Sequence, residues 1–332
     1  MIELIGESFK EHLKQENLQD EQIQIFIKTL KEFENHFKKE NIKIDSVPKG
    51  KILEYTEHLV QINQEKVLDF VRALFNYANF IKKYDYVIEL IDIIEAYNAM
   101  DNLSLRLEEK YGKDIRDKIF ENIVIPPLGS NPDEKPKSTK KIMKRMEKIL
   151  GEEKTIELLS PCLHGRPIEP IKKDREDFLR INDIDEFLKI KKQEFVERLE
   201  RHAKEGTLEY AQYVNDDVIN YVKNSKTITP GIREGDRIIV TKIPYQIEKF
   251  LNTDDERMKR YYSCYCAWVR NALKKGEEKE ISPNFCHCSA GFFKQYWDII
   301  FDQPVKVVPI DTPLTNNLEC KFEVFIPEEY LK

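Results

Sequence analysis

Hydrophobic residues recur with the period of an α-helix through the first two-thirds of the chain, and this pattern stops near residue 226. Ile23, Phe26, Leu30 and Phe33, for example, share one face of a helix. After residue 226, turn residues and β-branched runs such as Arg237–Ile243 replace the helical pattern. The pattern predicts an α+β protein, with an all-helical N-terminal two-thirds followed by a small α+β cysteine-rich domain. Helices are predicted over 22–33, 46–62, 65–82, 84–99, 184–204 and 208–224.

The same change of pattern suggests how the chain divides into parts. We predict a helical bundle over 1–100, a helical middle region over 101–225 and an α+β cysteine-rich domain over 226–332. The mixture of strands and short helices after residue 226 is the reason for the last boundary. Further strands are predicted over 259–267, 281–288, 305–310 and 319–326.

Composition limits the classes of function. The 332 residues are 41% hydrophobic and 34% charged, which is typical of a chain with real cores and well-solvated helix faces. The net charge of -6 argues against nucleic-acid binding, and the basic run Lys135–Lys148 is interpreted as a solvated helix face. The N-terminal helices resemble the helical DNA-binding arm of tyrosine recombinases, but their Arg-His-Arg-Tyr set has no counterpart, so a plain bundle is predicted.

The sequence shows no long apolar run and no signal-peptide pattern at its start. We therefore expect no membrane span and a cytoplasmic location. The richness in Lys, Glu, Ile and Asn suggests a bacterial origin.

Five of the six cysteines lie close together in the sequence, in two C-x-C pairs and a single later residue. In a reducing compartment, clustered thiols are more often metal ligands or nucleophiles than disulfides. If both pairs lie on neighbouring strands, residues two apart point the same way and the sulfurs face a common space. Zinc is the candidate cofactor, although C-x-C is not the usual spacing of structural zinc sites. The predicted metal ligands are Cys264, Cys266, Cys286, Cys288 and Cys320.

Cys288 is also a candidate nucleophile, and Cys266 is the alternative. Ser289 is a good N-cap, so Cys288 is expected at the start of a helix, where thiolates are stabilised. His287 or His164 would then be the general base.

Three further positions complete the predicted site. Tyr262 and Trp268 are expected to line a pocket beside the thiols. The turn Ser160–Pro167 carries Cys162 and His164, a pair that is usually structural but could supply partners for the other thiols.

The cysteine-containing segments resemble a known family. The segments from Arg260 to Cys266, from Phe285 to Gly291 and from Glu319 to Phe322 resemble bacterial and archaeal proteins labelled 2-amino-thiazoline-4-carboxylic acid hydrolase-like. These proteins are similar to vinyl-reductase-type small-molecule-binding domains. Their pattern of a first cysteine, a second before a helix and a final Cys-x-Phe matches Cys266, Cys286 or Cys288, and Cys320. The chain departs from them in lacking a Leu-x-Gly-Asp turn before the last cysteine and an Asp after the second.

Two functions therefore remain open. One is a site that binds a small molecule or a metal such as zinc. The other is a cysteine- or zinc-dependent hydrolase of a small C–N or C–S compound, which the resemblance implies. Both predict a small-molecule ligand or substrate as the partner.

Overall fold

A computed structural model describes residues 2–331, with side chains from residue 6 onward. The chain forms two compact units, residues 2–97 with 126–134, and residues 98–125 with 135–331. Helices dominate the first two-thirds and a small sheet lies near the C-terminal end, so the predicted α+β class is confirmed. The boundary predicted near residue 226 lies inside the second unit.

The first unit is built from five helices around a core of aromatic rings. Phe33 is fully buried, and its ring centroid lies 5.0 Å from that of Tyr55 and 5.1 Å from that of Phe70. The apolar face predicted for residues 22–33 is buried, since Ile23, Phe26, Leu30 and Phe33 are all in the core. The helices are α1 (Ile2–Gln15), α2 (Asp20–His36), α3 (Lys51–Ile62), α4 (Lys66–Phe80) and α5 (Tyr84–Ile94).

The second unit contains the remaining helices and all the strands. Its helices are α6 (Ala99–Tyr111), α7 (Lys113–Phe120), α8 (Lys135–Leu150), α9 (Glu152–Leu159), α10 (Glu169–Ile181), α11 (Ile184–Glu205), α12 (Asp216–Asn224), α13 (Ile247–Leu251), α14 (Glu256–Ser263), α15 (Arg270–Lys275) and α16 (His287–Phe301). Its strands are β1 (Leu208–Glu209), β2 (Gln212–Tyr213), β3 (Ile232–Glu234), β4 (Arg237–Thr241), β5 (Val307–Asp311) and β6 (Lys321–Phe325).

The main sheet has four antiparallel strands in the order β3-β4-β6-β5, and β1 and β2 form a separate hairpin. Ile238 pairs with Val324 and Val240 with Phe322, so these four side chains share one buried face. Helices α10, α11 and α16 contribute to the hydrophobic core built on that face. The sheet therefore supports α16, whose first turn carries Cys288.

Two predicted strands are wrong, and they are the ones that carry the C-x-C pairs. Residues 259–267 form most of α14 and a following turn, because the Asp255 carboxylate accepts hydrogen bonds from the amides of Arg257 and Met258 and starts a helix. Residues 281–288 contain a 3₁₀ helix, Pro283–Cys286, that leads directly into α16. The aromatic and cysteine content suggested strands, but the caps at Asp255 and at Ser282, which precedes Pro283, are helix-start signals.

The other strand predictions agree better with the structure. Residues 305–310 cover all of β5 except its last residue, residues 319–326 contain β6, and the run 237–243 contains β4. The helix predicted over 208–224 is partly wrong, because the β1–β2 hairpin occupies its first half. The helix begins only at Asp216, after the Asn215 side chain accepts a hydrogen bond from the Val218 amide at 3.0 Å.

Within the described residues, no helix combines the length and the apolar character that crossing a bilayer requires.

Candidate metal centre

Three possible metal ligands meet where the loop between α9 and α10 touches the first turn of α16. Cys162 and His164 come from the loop, and Cys288 is the second residue of the helix. Their ligand atoms all lie within 4.8 Å of one another, and Cys162 Sγ lies 3.5 Å from His164 Nδ1. This is the one such group of three or more Cys, His, Asp or Glu side chains in the part of the chain that the structure describes.

The separation of these atoms fits a tetrahedral ion. With Zn–S bonds of about 2.3 Å and Zn–N bonds of about 2.0 Å, the sulfur and nitrogen ligands of a tetrahedral zinc lie about 3.5 Å apart. The observed 3.5 Å between Cys162 Sγ and His164 Nδ1 is close to that value. A Cys-His-Cys group of this size can therefore hold a metal ion, and it supplies three of the four ligands of a tetrahedron.

The loop is held in place by side chains of α6. Arg106 donates hydrogen bonds from Nη1 to the carbonyls of Leu158 at 2.6 Å and Pro161 at 2.7 Å, and from Nη2 to that of Cys162 at 3.1 Å. Asn102 adds a bond of 2.6 Å to the carbonyl of the next residue along the loop. Because a loop cannot satisfy its own carbonyls as a helix does, these donors determine its path and the position of the Cys162 sulfur.

Gly291 lets the loop approach the helix closely. It lies on α16 one turn after Cys288, and a Cβ atom at this position would come within 2.4 Å of the Ser160 carbonyl oxygen and 2.5 Å of the Cys162 amide nitrogen. Any side chain here would therefore push the loop backbone away. The absence of a side chain at Gly291 is what allows Cys162 and Cys288 to meet.

The two sulfurs of the site shift each other's pKa in opposite directions. The Cys288 thiol donates a hydrogen bond to Cys162, and this bond is the main reason that the pKa of Cys162 is lowered far below the usual thiol value. The side chain and the backbone amide of His164 lower the pKa of Cys162 further. The same bond to Cys162, followed by burial, raises the pKa of Cys288 well above its ordinary value. At neutral pH the pair is therefore a Cys162 thiolate beside a Cys288 thiol, and thiolate is the form that binds metals and attacks electrophiles.

Four of the predicted metal ligands lie outside this group. Cys264 ends α14, Cys266 lies in the next turn, Cys286 ends the 3₁₀ helix before α16, and Cys320 precedes β6. Burial raises the pKa of Cys264, raises that of Cys320 to about 12, and raises that of Cys286 well above its ordinary value. These three thiols are protonated at neutral pH and pack as small apolar groups. All six cysteines are among the described residues, and none is in a disulfide.

The positive charge of Lys242 acts on two of the predicted metal ligands, Cys264 and Cys320. Lys242 donates a hydrogen bond from Nζ to Ser289 Oγ at 2.8 Å, and the ammonium lies 5.3 Å from the ring centre of Tyr265 and 5.0 Å from that of Phe292. Its charge acts on the nearby Cys320 thiol, whose pKa it lowers against the larger effect of burial. A fixed positive charge repels a metal ion at these sulfurs, which gives a physical reason why the ligands converge elsewhere.

The other predicted site residues have separate positions. His287 begins α16 half-buried, its pKa is lowered by burial, and its Nδ1 is buried with no hydrogen-bond partner among the described residues. Trp268 is 1% exposed and belongs to the core, where its carbonyl accepts a hydrogen bond from Thr139 Oγ1 at 2.8 Å. Tyr262 is partly exposed at the end of α14, and its carbonyl accepts a bond from the Gln246 amide.

The sequence pointed to part of this group. Cys288 was expected at a helix start, and it lies in the first turn of α16. Cys162 and His164 are possible partners of the other thiols, and their C-x-H spacing is the sequence feature that indicates a site there. Arg106 and Gly291 carried no signal, because their roles depend on contacts between segments about fifty residues or more apart in the sequence.

Comparisons with protein-family models, curated proteins and solved structures give no match for this chain.

Proposed function

We propose that Cys162, His164 and Cys288 bind a zinc ion and that the fourth coordination position accepts water or a small molecule. The observation that carries the proposal is the convergence of three ligand atoms within 4.8 Å of one another at the start of α16. Thiolate and imidazole are the ligands that zinc prefers, and a site with two cysteines and one histidine leaves a tetrahedral position free.

The protonation of the site supports this assignment. Metal binding displaces protons from thiols, so a cysteine that is already ionised gives a stronger site at neutral pH. Cys162 is in this form because Cys288 donates its hydrogen bond to it. A bound cation would replace the shared proton and stabilise both sulfurs as thiolates.

The outer contacts also suit a metal centre. Residues that orient ligands are part of most metal sites, and their loss commonly weakens affinity about 10–100-fold. Here Arg106 and Asn102 hold the loop carbonyls around Cys162. Both loop ligands are thus attached to a fixed backbone.

The alternative is a cysteine-dependent hydrolase of a small C–N or C–S compound, as the resemblance to the thiazoline-carboxylate hydrolase-like proteins implies. The lowered pKa of Cys162 favours it, because a thiolate is the reactive nucleophile. In this reading Cys162 is the nucleophile and His164 the general base. Cys288, whose pKa is raised, would donate the hydrogen bond that maintains the thiolate.

Metal analysis of protein purified without chelator and with reductant tests the zinc proposal. We expect one zinc per chain, and its loss in Cys162→Ser, His164→Ala and Cys288→Ser. Cys266→Ser is the matched control, because it removes a partly buried cysteine that lies outside the group and should retain the metal. Circular dichroism of each variant separates loss of a ligand from loss of the fold.

Two results contradict the proposal. One is a purified protein that binds no stoichiometric zinc even when zinc is titrated against a competing chelator. The other is zinc that is lost in Cys266→Ser and retained in Cys162→Ser. A metal-free protein in which Cys162 alone reacts rapidly with iodoacetamide near neutral pH favours the hydrolase instead.

A further inference from the structure

We infer that Cys162 and Cys288 also form a redox-active dithiol, which a hydroperoxide oxidises to an intramolecular disulfide. This inference goes beyond zinc binding and holds for the metal-free protein, although both functions use the same two sulfurs. Its basis is the position and accessibility of the two thiols.

The two sulfurs are close enough to bond after a small movement. They lie within 4.8 Å of each other. An S–S bond is about 2.05 Å long, so the sulfurs need to approach by less than about 3 Å. Cys162 lies in a loop without regular secondary structure, and a change of its side-chain rotamer moves the sulfur while the loop backbone stays in place.

The two thiols differ in accessibility in the way that such a reaction requires. Cys162 is partly exposed, whereas Cys288 is only 5% exposed. A dissolved oxidant therefore reaches Cys162 first, and Cys288 is placed to react with the product. Exposed thiolates with a neighbouring resolving cysteine are the usual arrangement of reversible thiol oxidation.

The reaction proceeds in two steps that balance. The Cys162 thiolate attacks the terminal peroxide oxygen, the O–O bond breaks, and Cys162 becomes a sulfenic acid. The leaving alkoxide or hydroxide takes a proton from the solvent and departs as an alcohol or water. The Cys288 sulfur then attacks the sulfur of Cys162, the S–O bond breaks, and the hydroxyl group leaves as water with the Cys288 proton. The two sulfurs together lose two electrons, and the hydroperoxide gains two.

Oxidation and metal binding exclude each other in this arrangement. A disulfide between Cys162 and Cys288 removes two of the three ligands, so it would release a bound zinc. A bound zinc, in turn, holds both thiolates and slows their attack on peroxide. The site would thus respond to oxidants by changing its metal content.

The test uses the metal-free full-length protein and a small excess of hydrogen peroxide, followed by alkylation of the remaining thiols. We expect an intact mass lower by two hydrogens before alkylation, and four rather than six alkylated cysteines after it. The non-reduced peptide map should link Cys162 to Cys288, and dithiothreitol should reverse all of these changes. In Cys288→Ser, the sulfenic acid on Cys162 should persist and react with dimedone. Cys266→Ser is the control, and its disulfide should form at the wild-type rate.

The inference is overturned if the disulfide joins any other pair or two chains, or if Cys162 goes directly to sulfinic acid. The peptide map of the wild-type protein decides this even where a variant fails to fold. Zinc-loaded protein separates the two proposals: protection by about tenfold or more supports both, because ligated thiolates are not free to react. Rapid disulfide formation that zinc does not slow supports the dithiol and contradicts the zinc site.

Discussion

Gly291→Ala tests whether the close contact between the loop and α16 creates the site. The added Cβ would lie 2.4 Å from the Ser160 oxygen, 2.5 Å from the Cys162 nitrogen and 2.8 Å from the Pro161 carbonyl carbon. Ordinary contacts are about 3.5 Å, so the loop must retreat by about 1 Å. All three atoms belong to the backbone, and no side-chain rotation can relieve the overlap.

The effect on stability should be modest. Overpacking of this kind costs about 1–3 kcal/mol, while replacing a glycine within a helix by alanine contributes about 1 kcal/mol in the other direction. We therefore expect the free energy of unfolding to fall by roughly 0–2 kcal/mol. Urea unfolding of the metal-free protein measures this change.

The effect on the metal should be much larger. Ligand distances in metal sites are tolerated only within about 0.2 Å, and a loop shift of about 1 Å carries Cys162 and His164 away from Cys288. We expect zinc affinity, measured by competition with a chelator, to fall about 10–100-fold or more.

Gly6→Ala is the matched control, because Gly6 also lies within a helix and its added Cβ would meet no atom within 4 Å. It should stabilise the protein by about 0.5–1 kcal/mol and leave zinc affinity unchanged. If Gly291→Ala behaves in the same way as Gly6→Ala, the loop contact does not create the site.

Two other substitutions test which residues position Cys162 and lower its pKa. Arg106→Met removes the donors to the Leu158, Pro161 and Cys162 carbonyls. We expect the free energy of unfolding in urea to fall by about 1.5–3 kcal/mol and zinc binding to weaken. If neither quantity changes, Arg106 does not hold the loop. Cys288→Ala removes the largest cause of the lowered pKa of Cys162. The thiolate absorbance of the metal-free variant should therefore titrate at higher pH than that of the wild type. An unchanged titration would show that Cys288 does not lower the pKa of Cys162.

The pKa of Cys162 also makes stability depend on pH. Because it is lower in the folded than in the unfolded chain, the thiolate contributes stability that is fully present above the unfolded value and is lost as the pH falls through the lowered one. The raised pKa of Cys288 acts in the opposite sense, and its contribution is lost as the pH rises through the raised value. Urea unfolding at several pH values would measure the free energy of unfolding of the wild type and of Cys288→Ala. We expect the difference between them to be largest at pH values between the lowered pKa of Cys162 and the raised pKa of Cys288.

Much of the fold follows from local sequence patterns. The helical periodicity predicted α2 and its buried face, and the β-branched run predicted β4, because both patterns depend only on neighbouring residues. The same local reasoning failed at the C-x-C pairs. There, aromatic residues and cysteines suggested strands, while caps at Asp255 and Ser282 started helices instead.

The sequence by itself determined the α+β class, the position of Cys288 at a helix start and the presence of several cysteines that could act together. Only the tertiary structure decided which thiols meet. Cys162 and Cys288 are far apart in the chain, and they come together because Gly291 leaves room for the loop and Arg106 binds its carbonyls. Such contacts depend on distances of a few tenths of an ångström between distant segments, which spacing along a sequence does not encode.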